Sequence, residues 1–250
     1  MELGVQLYTL RKFMDGNENF ADLMDWVKDL GCKYIQLSGG KNLDYKEVKK
    51  IIDDRDLTIT LTHSPYDRIR DDLDALAEEH IHCGIKTIGV GSLPKNFRGD
   101  GRVNFNQFID VMNGASEKLK AYDLNLSYHN HAFEFEPMAD GELMMDKLIR
   151  ELPDLQFVLD TYWVHFAKHS NEEYIKKLNG RLLNVHLKGY RKILGLFPVL
   201  CECNRGSLDI AKLLPLFEAA GTQYALIEQD VAKDPKKSVK QSWDYLNSLK

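Results

Sequence analysis

A chain of 250 residues, 44% hydrophobic and 28% charged, can bury one sizeable core, and the length suits a single α/β barrel or two smaller domains. Its net charge of -5 argues against a nucleic-acid partner, which needs a concentrated basic face. No apolar run approaches the roughly 18 residues of a membrane span, no leader pattern opens the chain, and the four cysteines are scattered, so a cytoplasmic protein with free thiols is expected.

Taken in chain order, one phrase recurs: a short β-branched or aromatic run, then an amphipathic segment. The run Leu3 to Tyr8 precedes "NFADLMDWVKDL", whose apolar residues recur at helical three and four spacing. Gly31 follows, where a left-handed cap costs least without a Cβ, and the chain enters Lys33 to Leu37. Leu57 to Thr62 is the third strand candidate and Lys86 to Val90, entered through Gly84, the fourth. Leu124 to His129, Gln156 to Asp160, Leu182 to Leu187 and, after Gly221, Tyr224 to Ile227 complete eight. The helix before the eighth, "SLDIAKLLPLFEAA", has Ser207 or Asp209 as its N-cap. Eight such alternations without a Pro/Gly/Ser-rich linker predict one (β/α)8 barrel over residues 1–250. The longest irregular stretches, Ser92 to Val103 and Lys188 to Gly206, both follow strands, on the side where such barrels carry their active face.

Polar residues gather at those same strand ends. Gln6 lies in the first, His63 ends the third in "LTHSP", and "SYHNHAFEF" gives the fifth His129, His131 and Glu134. Asp160, His186 and Glu228 end the sixth, seventh and eighth, with Lys188 just beyond the seventh. Buried charge costs several kcal/mol unless paired or bound to a cation, so the concentration requires a cause. Each residue alone has a structural reading: Asp160 caps the next helix, His186 is a satisfied core histidine, Glu228 pairs with a lysine. Together, at equivalent ends of neighbouring strands, two carboxylates and an imidazole point to one divalent metal ion, of Mn, Zn, Co or Mg type. His129 is the candidate fourth ligand. His131 and Lys188 are candidates for acid/base work or for binding substrate oxygens, and Glu228, or Glu134 if its loop folds inward, is the candidate proton acceptor. Gln6, His63, Trp163 and Arg191 are candidate substrate contacts, Trp163 with Phe166 as an apolar wall for a sugar ring. His80 and His82 read as surface or boundary residues of a helix, and Cys201 and Cys203 as packing.

The motifs "GVQLYTLR", "YHNHAFEF", "VLDTYWV", "VHLKGY", "GSLDIAKLLPLFEAAG" and "YALIEQD" together resemble the xylose isomerase-like TIM barrels of the sugar phosphate isomerase/epimerase type, from Gly4 to the terminal "SWDYLNSL". The resemblance implies a divalent metal with one ligand from each of strands five to eight, a sugar or polyol substrate, and proton transfer beside a carbonyl. Asp160, His186 and Glu228 match the last three ligand positions. The fifth-strand ligand of the better-studied members is a glutamate, and here that place falls on His129. Where such proteins commonly read "HLKD", this chain has Gly189, and "HFAKHSN" lacks a glycine and an acid expected there. The leading expectation is therefore an isomerase or epimerase of a sugar or cyclic polyol. A dehydratase or lyase on a related keto-sugar, a non-catalytic sugar-binding barrel and, least, an abasic-site endonuclease are the alternatives. A homo-oligomer is compatible with all of them.

Overall fold

A computed structural model describes residues 1–98 and 105–249, so residues 99–103 of the expected irregular stretch Ser92 to Val103 lie outside the described residues. Eight parallel strands close into a barrel: β1 (Glu2–Gln6), β2 (Tyr34–Leu37), β3 (Thr58–Ser64), β4 (Thr87–Val90), β5 (Asn125–His129), β6 (Gln156–Asp160), β7 (Asn184–Leu187) and β10 (Tyr224–Ile227), the last pairing with both β7 and β1. Helices α1 (Asn17–Asp29), α2 (Tyr45–Asp53), α3 (Tyr66–Asp71), α4 (Leu73–His82), α5 (Phe105–Lys120), α6 (Met144–Glu151), α7 (Thr161–Phe166), α8 (Asn171–Lys177), α9 (Ile210–Ala219) and α10 (Pro235–Asn247) follow the strands around the outside. This is the expected single (β/α)8 barrel.

Strand alternation divides the core. Leu126 and Tyr128, Phe157 and Leu159, Val185 and Leu187, and Ala225 and Ile227 join the apolar shell packed against the helices. Side chains one position away must face the axis, because successive Cβ atoms in a strand point to opposite faces. That alternate set is His129, Asp160, His186 and Glu228 at the C-terminal rim, with Gln36 and His63 across the barrel. Polarity on the axis and apolarity outside are thus two faces of the same strands.

Three local outcomes differ from expectation. The first strand stops at Gln6, whose Oε1 accepts from the Tyr8 N–H at 3.1 Å and caps a 3-10 helix over Leu7–Phe13, so Leu7 and Tyr8 are not strand residues. The stretch from Lys188 to Gly206 is not irregular: it holds an antiparallel hairpin of β8 (Gly189–Ile193) and β9 (Phe197–Cys201). Three residues separate the paired Ile193 and Phe197, and the turn sets Leu194 and Gly195 both at positive φ, 52° and 68°, with the Leu196 N–H donating to the Ile193 carbonyl at 3.1 Å; a leucine there conceals the usual Asn-Gly signal. The tip leaves Leu194 84% and Phe197 61% exposed. Third, His80 is buried rather than superficial, its Nδ1 donating to the Leu76 carbonyl at 2.7 Å and its Nε2 accepting from the Thr62 hydroxyl at 2.8 Å, while His82 is exposed. Asp209 rather than Ser207 caps α9, accepting from Lys212 N. All four cysteines are free.

Candidate metal centre

Register explains why four side chains meet. His129 lies beside Val158 and Asp160 beside His186, while His186 pairs with Leu226, two residues before Glu228. Inward residues on four adjacent strands therefore climb the rim in steps, and one donor atom of each of His129, Asp160, His186 and Glu228 lies within 4.8 Å of the others. All four are buried.

The ligand atoms all point inward. His129 Nδ1 lies 3.0 Å from the Gly91 carbonyl, which only accepts, so that nitrogen carries the hydrogen and Nε2 presents its lone pair, 3.1 Å from Asp160 Oδ2. His186 Nε2 lies 2.6 Å from Gln36 Oε1 and likewise donates, leaving Nδ1 to face Glu228 Oε2 at 2.9 Å. Burial lowers the pKa of His129, which keeps that ring neutral near pH 7. His129 Nε2 and Asp160 Oδ2 then oppose each other as acceptors in a dry site, a contact that a divalent ion between them would relieve. These residues fit a divalent metal, and the hydrogen bonds to Gly91 and Gln36 are the outer contacts that fix ligand tautomers in such centres. Replacing Gln36 by leucine frees His186 to turn, and divalent affinity should fall about 10- to 100-fold by calorimetry; an unchanged affinity would remove Gln36 from this role.

Lys188 brings a positive charge to the same place. Its buried Nζ lies 2.9 Å from Asp160 Oδ2, 2.9 Å from Glu228 Oε2 and 3.1 Å from Asp230 Oδ2. Burial alone would raise the pKa of Asp160 and Glu228, but the Lys188 charge and the histidines outweigh it and hold both well below the carboxylate range. Asp230 behaves oppositely: burial and the neighbouring Glu228 charge push it up to about 7. One ammonium thus serves three carboxylates and leaves the third poorly compensated. For His186, burial opposes and the Glu228 and Asp160 charges win, raising its pKa. His63 and His131 are lowered, first by burial and then by neighbouring imidazoles, His131 to about 3. Both are neutral rings at pH 7.

A cavity of about 390 Å³ opens above the cluster, lined by Tyr8, Ser38, His63, His131, Lys188 and Asp230 among others. Of the residues expected at the site, His63, His129, His131, Lys188 and Glu228 line it. Gln6 is not among its lining residues: its amide caps the 3-10 helix and donates to Ser38 Oγ at 3.1 Å. Trp163 lies beside the cavity, 5.5 Å from the His131 ring and 5.8 Å from Lys188 Nζ. Arg191 is exposed on the hairpin, away from the cavity lining. Gln36, Ser38 and Asp230 were missed by sequence reasoning. Asp230 had a signal, an acid two residues beyond Glu228; Gln36 had one too, an amide inside the apolar run "YIQL".

Glu134 does not fold over the site. It is fully buried on the outer side of β5, where Tyr128 donates to Oε1 at 2.5 Å and the His131 N–H to Oε2 at 2.8 Å. Tyr128 precedes His129 in the strand, so anything bound to its hydroxyl lies on the opposite face from the cluster. Burial pushes Glu134 up to about 7 from its ordinary 4.5. Between those values the folded chain keeps a proton that the unfolded chain releases, so stability is full below about pH 4.5 and falls as pH rises toward 7, by about 3 kcal/mol. Glu134→Gln, which mimics the protonated acid, should flatten that part of the slope in urea melts between pH 5 and 7.5; Asp230 supplies the remainder. An unaltered slope would assign it elsewhere.

No curated protein matches the chain by sequence. Among solved structures it is similar to a sugar phosphate isomerase/epimerase from Parabacteroides distasonis ATCC 8503, with TM-score 0.81 and 18% identity over 99% of this chain and 93% of that one. A probable 3-DHS dehydratase from Bacillus anthracis, involved in petrobactin synthesis, aligns with TM-score 0.76 and 12% identity over 99% of both chains. The IOLI protein, with a bound zinc atom, aligns with TM-score 0.73 and 12% identity over 100% of this chain and 98% of that one. At these identities the likeness is one of fold. The family model for the xylose isomerase-like TIM barrel matches residues 24–249, and with the closed eight-stranded barrel it establishes that the chain belongs to that family.

Proposed function

We propose that this protein is an isomerase or epimerase of a sugar or cyclic polyol, acting by proton transfer next to a carbonyl and using one divalent ion of Mn, Zn, Co or Mg type. The observation that carries the reading is the meeting of four potential ligand atoms, on His129, Asp160, His186 and Glu228, at the floor of a cavity whose other walls include imidazole, hydroxyl and ammonium groups. The zinc of the IOLI protein supports the metal, on an equivalent fold. Held by these four residues, the ion would supply Lewis-acid polarisation of a carbonyl and its neighbouring hydroxyl.

The chain's own groups divide the remaining work. Glu228, kept ionised by Lys188, is the carboxylate that takes the proton from carbon. Lys188 donates a hydrogen bond to a substrate oxygen, and Asp230 holds its ammonium at the cavity wall. His131, neutral and partly exposed to the cavity, orients substrate hydroxyls. Glu134 has no part in proton transfer, since it lies behind the strand. The test is incubation of the metal-loaded protein with candidate ketoses in D2O. Deuterium at one carbon of an intact skeleton supports the reading, and loss of water supports the dehydratase alternative. That second reading has its own support in the fold shared with the probable 3-DHS dehydratase and in an ammonium placed to protonate a departing hydroxyl.

A further inference from the structure

Beside the site cavity lies a second one that the proposed reaction does not use. It has a volume of about 220 Å³ and opens between the ends of β2 and β3, running outward between α2 and α4. Its walls are largely aliphatic, formed by Leu37, Leu43, Val48, Leu76 and Ile85. Ser38, Gly39 and His63 line both cavities, so the two adjoin across these residues.

Apart from the buried Nε2 of His63, which has no hydrogen-bond partner where the two cavities meet, the main polar groups of this side cavity are already committed. Arg68 is paired with Glu79 at 2.8 Å and with Asp72 at 2.7 Å, which leaves no free charge to attract a phosphate or carboxylate. His80 donates through Nδ1 to Leu76, so its Nε2 accepts from Thr62 Oγ1, and Thr62 Oγ1 at 3.2 Å then accepts from the Ser64 hydroxyl. This one-way chain spends the Ser64 hydrogen and leaves its lone pairs at the cavity wall as acceptors. Apolar walls, a neutral interior and one acceptor near the junction suit an uncharged ring or short alkyl group attached to something that carries hydroxyls.

Resting on the proposed sugar or polyol reading, we infer that the substrate has two parts. A hydroxylated carbonyl ring occupies the site, and an uncharged aryl or alkyl substituent, of the kind a glycoside carries, occupies the side cavity. Size supports the division. A single six-membered carbocycle with its linking oxygen fits the side cavity of about 220 Å³, and a sugar ring fits the adjoining polar cavity of about 390 Å³.

The experiment compares phenyl β-D-glucopyranoside, glucose and phenol on the Zn2+-loaded protein by calorimetry and by NMR of the leucine and valine methyls. Phenyl glucoside should bind at least tenfold more tightly than glucose, with shifts at Val48 and Leu76. Val48→Phe, which fills the cavity, should bring the ratio of the two affinities to about one. Leu43→Trp at the rim is the second variant, for use if the first does not fold. Equal binding of the two sugars, or an advantage that survives both fillings, overturns the inference, as does phenol binding in the cavity without any sugar binding. Absence of deuterium exchange with the affinity ratio intact would sink the proposed reaction and leave the two-part site standing.

Discussion

Replacing Asp160 by alanine should abolish divalent binding and cost about 3–5 kcal/mol of stability. Its two oxygens have separate duties. Oδ2 contacts Lys188 and faces His129, while Oδ1 accepts from the backbone N–H of Tyr162 and Trp163 at 3.0 and 3.1 Å and starts α7. Alanine leaves the Lys188 ammonium short of a partner in a dry site and uncaps the helix, a loss of about 1 kcal/mol on its own. Asp160→Asn retains an oxygen for the cap and removes the charge. It should therefore be more stable than the alanine variant while binding metal equally poorly. Urea melts and Mn2+ calorimetry on both variants measure this, and alanine-variant affinity within threefold of the parent would remove Asp160 from the ligand set.

Lys188→Met should have the second large effect. Among the described residues Lys188 is the only lysine or arginine paired with the side chains of Asp160, Glu228 and Asp230. Methionine fills the space but leaves three carboxylates facing one another, and breaking a buried charge network of this kind costs about 3–5 kcal/mol. A divalent ion then becomes the main counter-charge. At 100 times its dissociation constant it restores about 2.7 kcal/mol by mass action. The variant should thus melt well below the parent in chelator and gain more from added Mn2+ than the parent does. Its gain in stability as pH falls from 7 should also be steeper than the parent's, in which Glu134 and Asp230 supply that slope. In the parent, Asp160 and Glu228 are depressed and contribute stability that is lost as pH falls through their folded values. Without the ammonium both are raised, and the variant should gain more stability than the parent as pH falls from 7 toward 5. Parent-like melting in chelator would show that the ammonium is dispensable.

The barrel was legible because its signals are local and repeated. Gly31, Gly84 and Gly221 end helices at positive φ, and apolar strands follow. The buried cluster of Asp160, His186 and Glu228 was legible because alternation carries from strand to strand: Asp160 and His186 end neighbouring strands and share a register level. Glu134 was misplaced because chain proximity to His129 does not say which face of β5 it joins, and the deciding contact is the Tyr128 hydroxyl. Gln36 was missed because its partner, His186, is 150 residues distant in sequence, and no local pattern carries that information. The hairpin was missed because Leu194 and Gly195 make a tight turn without its usual composition.

Gly189 marks a constraint on how this site can be altered. A Cβ there would collide with the carbonyl oxygens of Cys201 and Glu202, so the return strand of the hairpin lies where a side chain would go. A carboxylate at position 189 and this hairpin exclude each other sterically. Gly189→Asp would force the base of the hairpin apart rather than add an acid to the rim. Exchanging the whole segment from 189 to 206 is the smallest change that makes room for one, which makes that segment, and not the single residue, the natural unit for engineering the site.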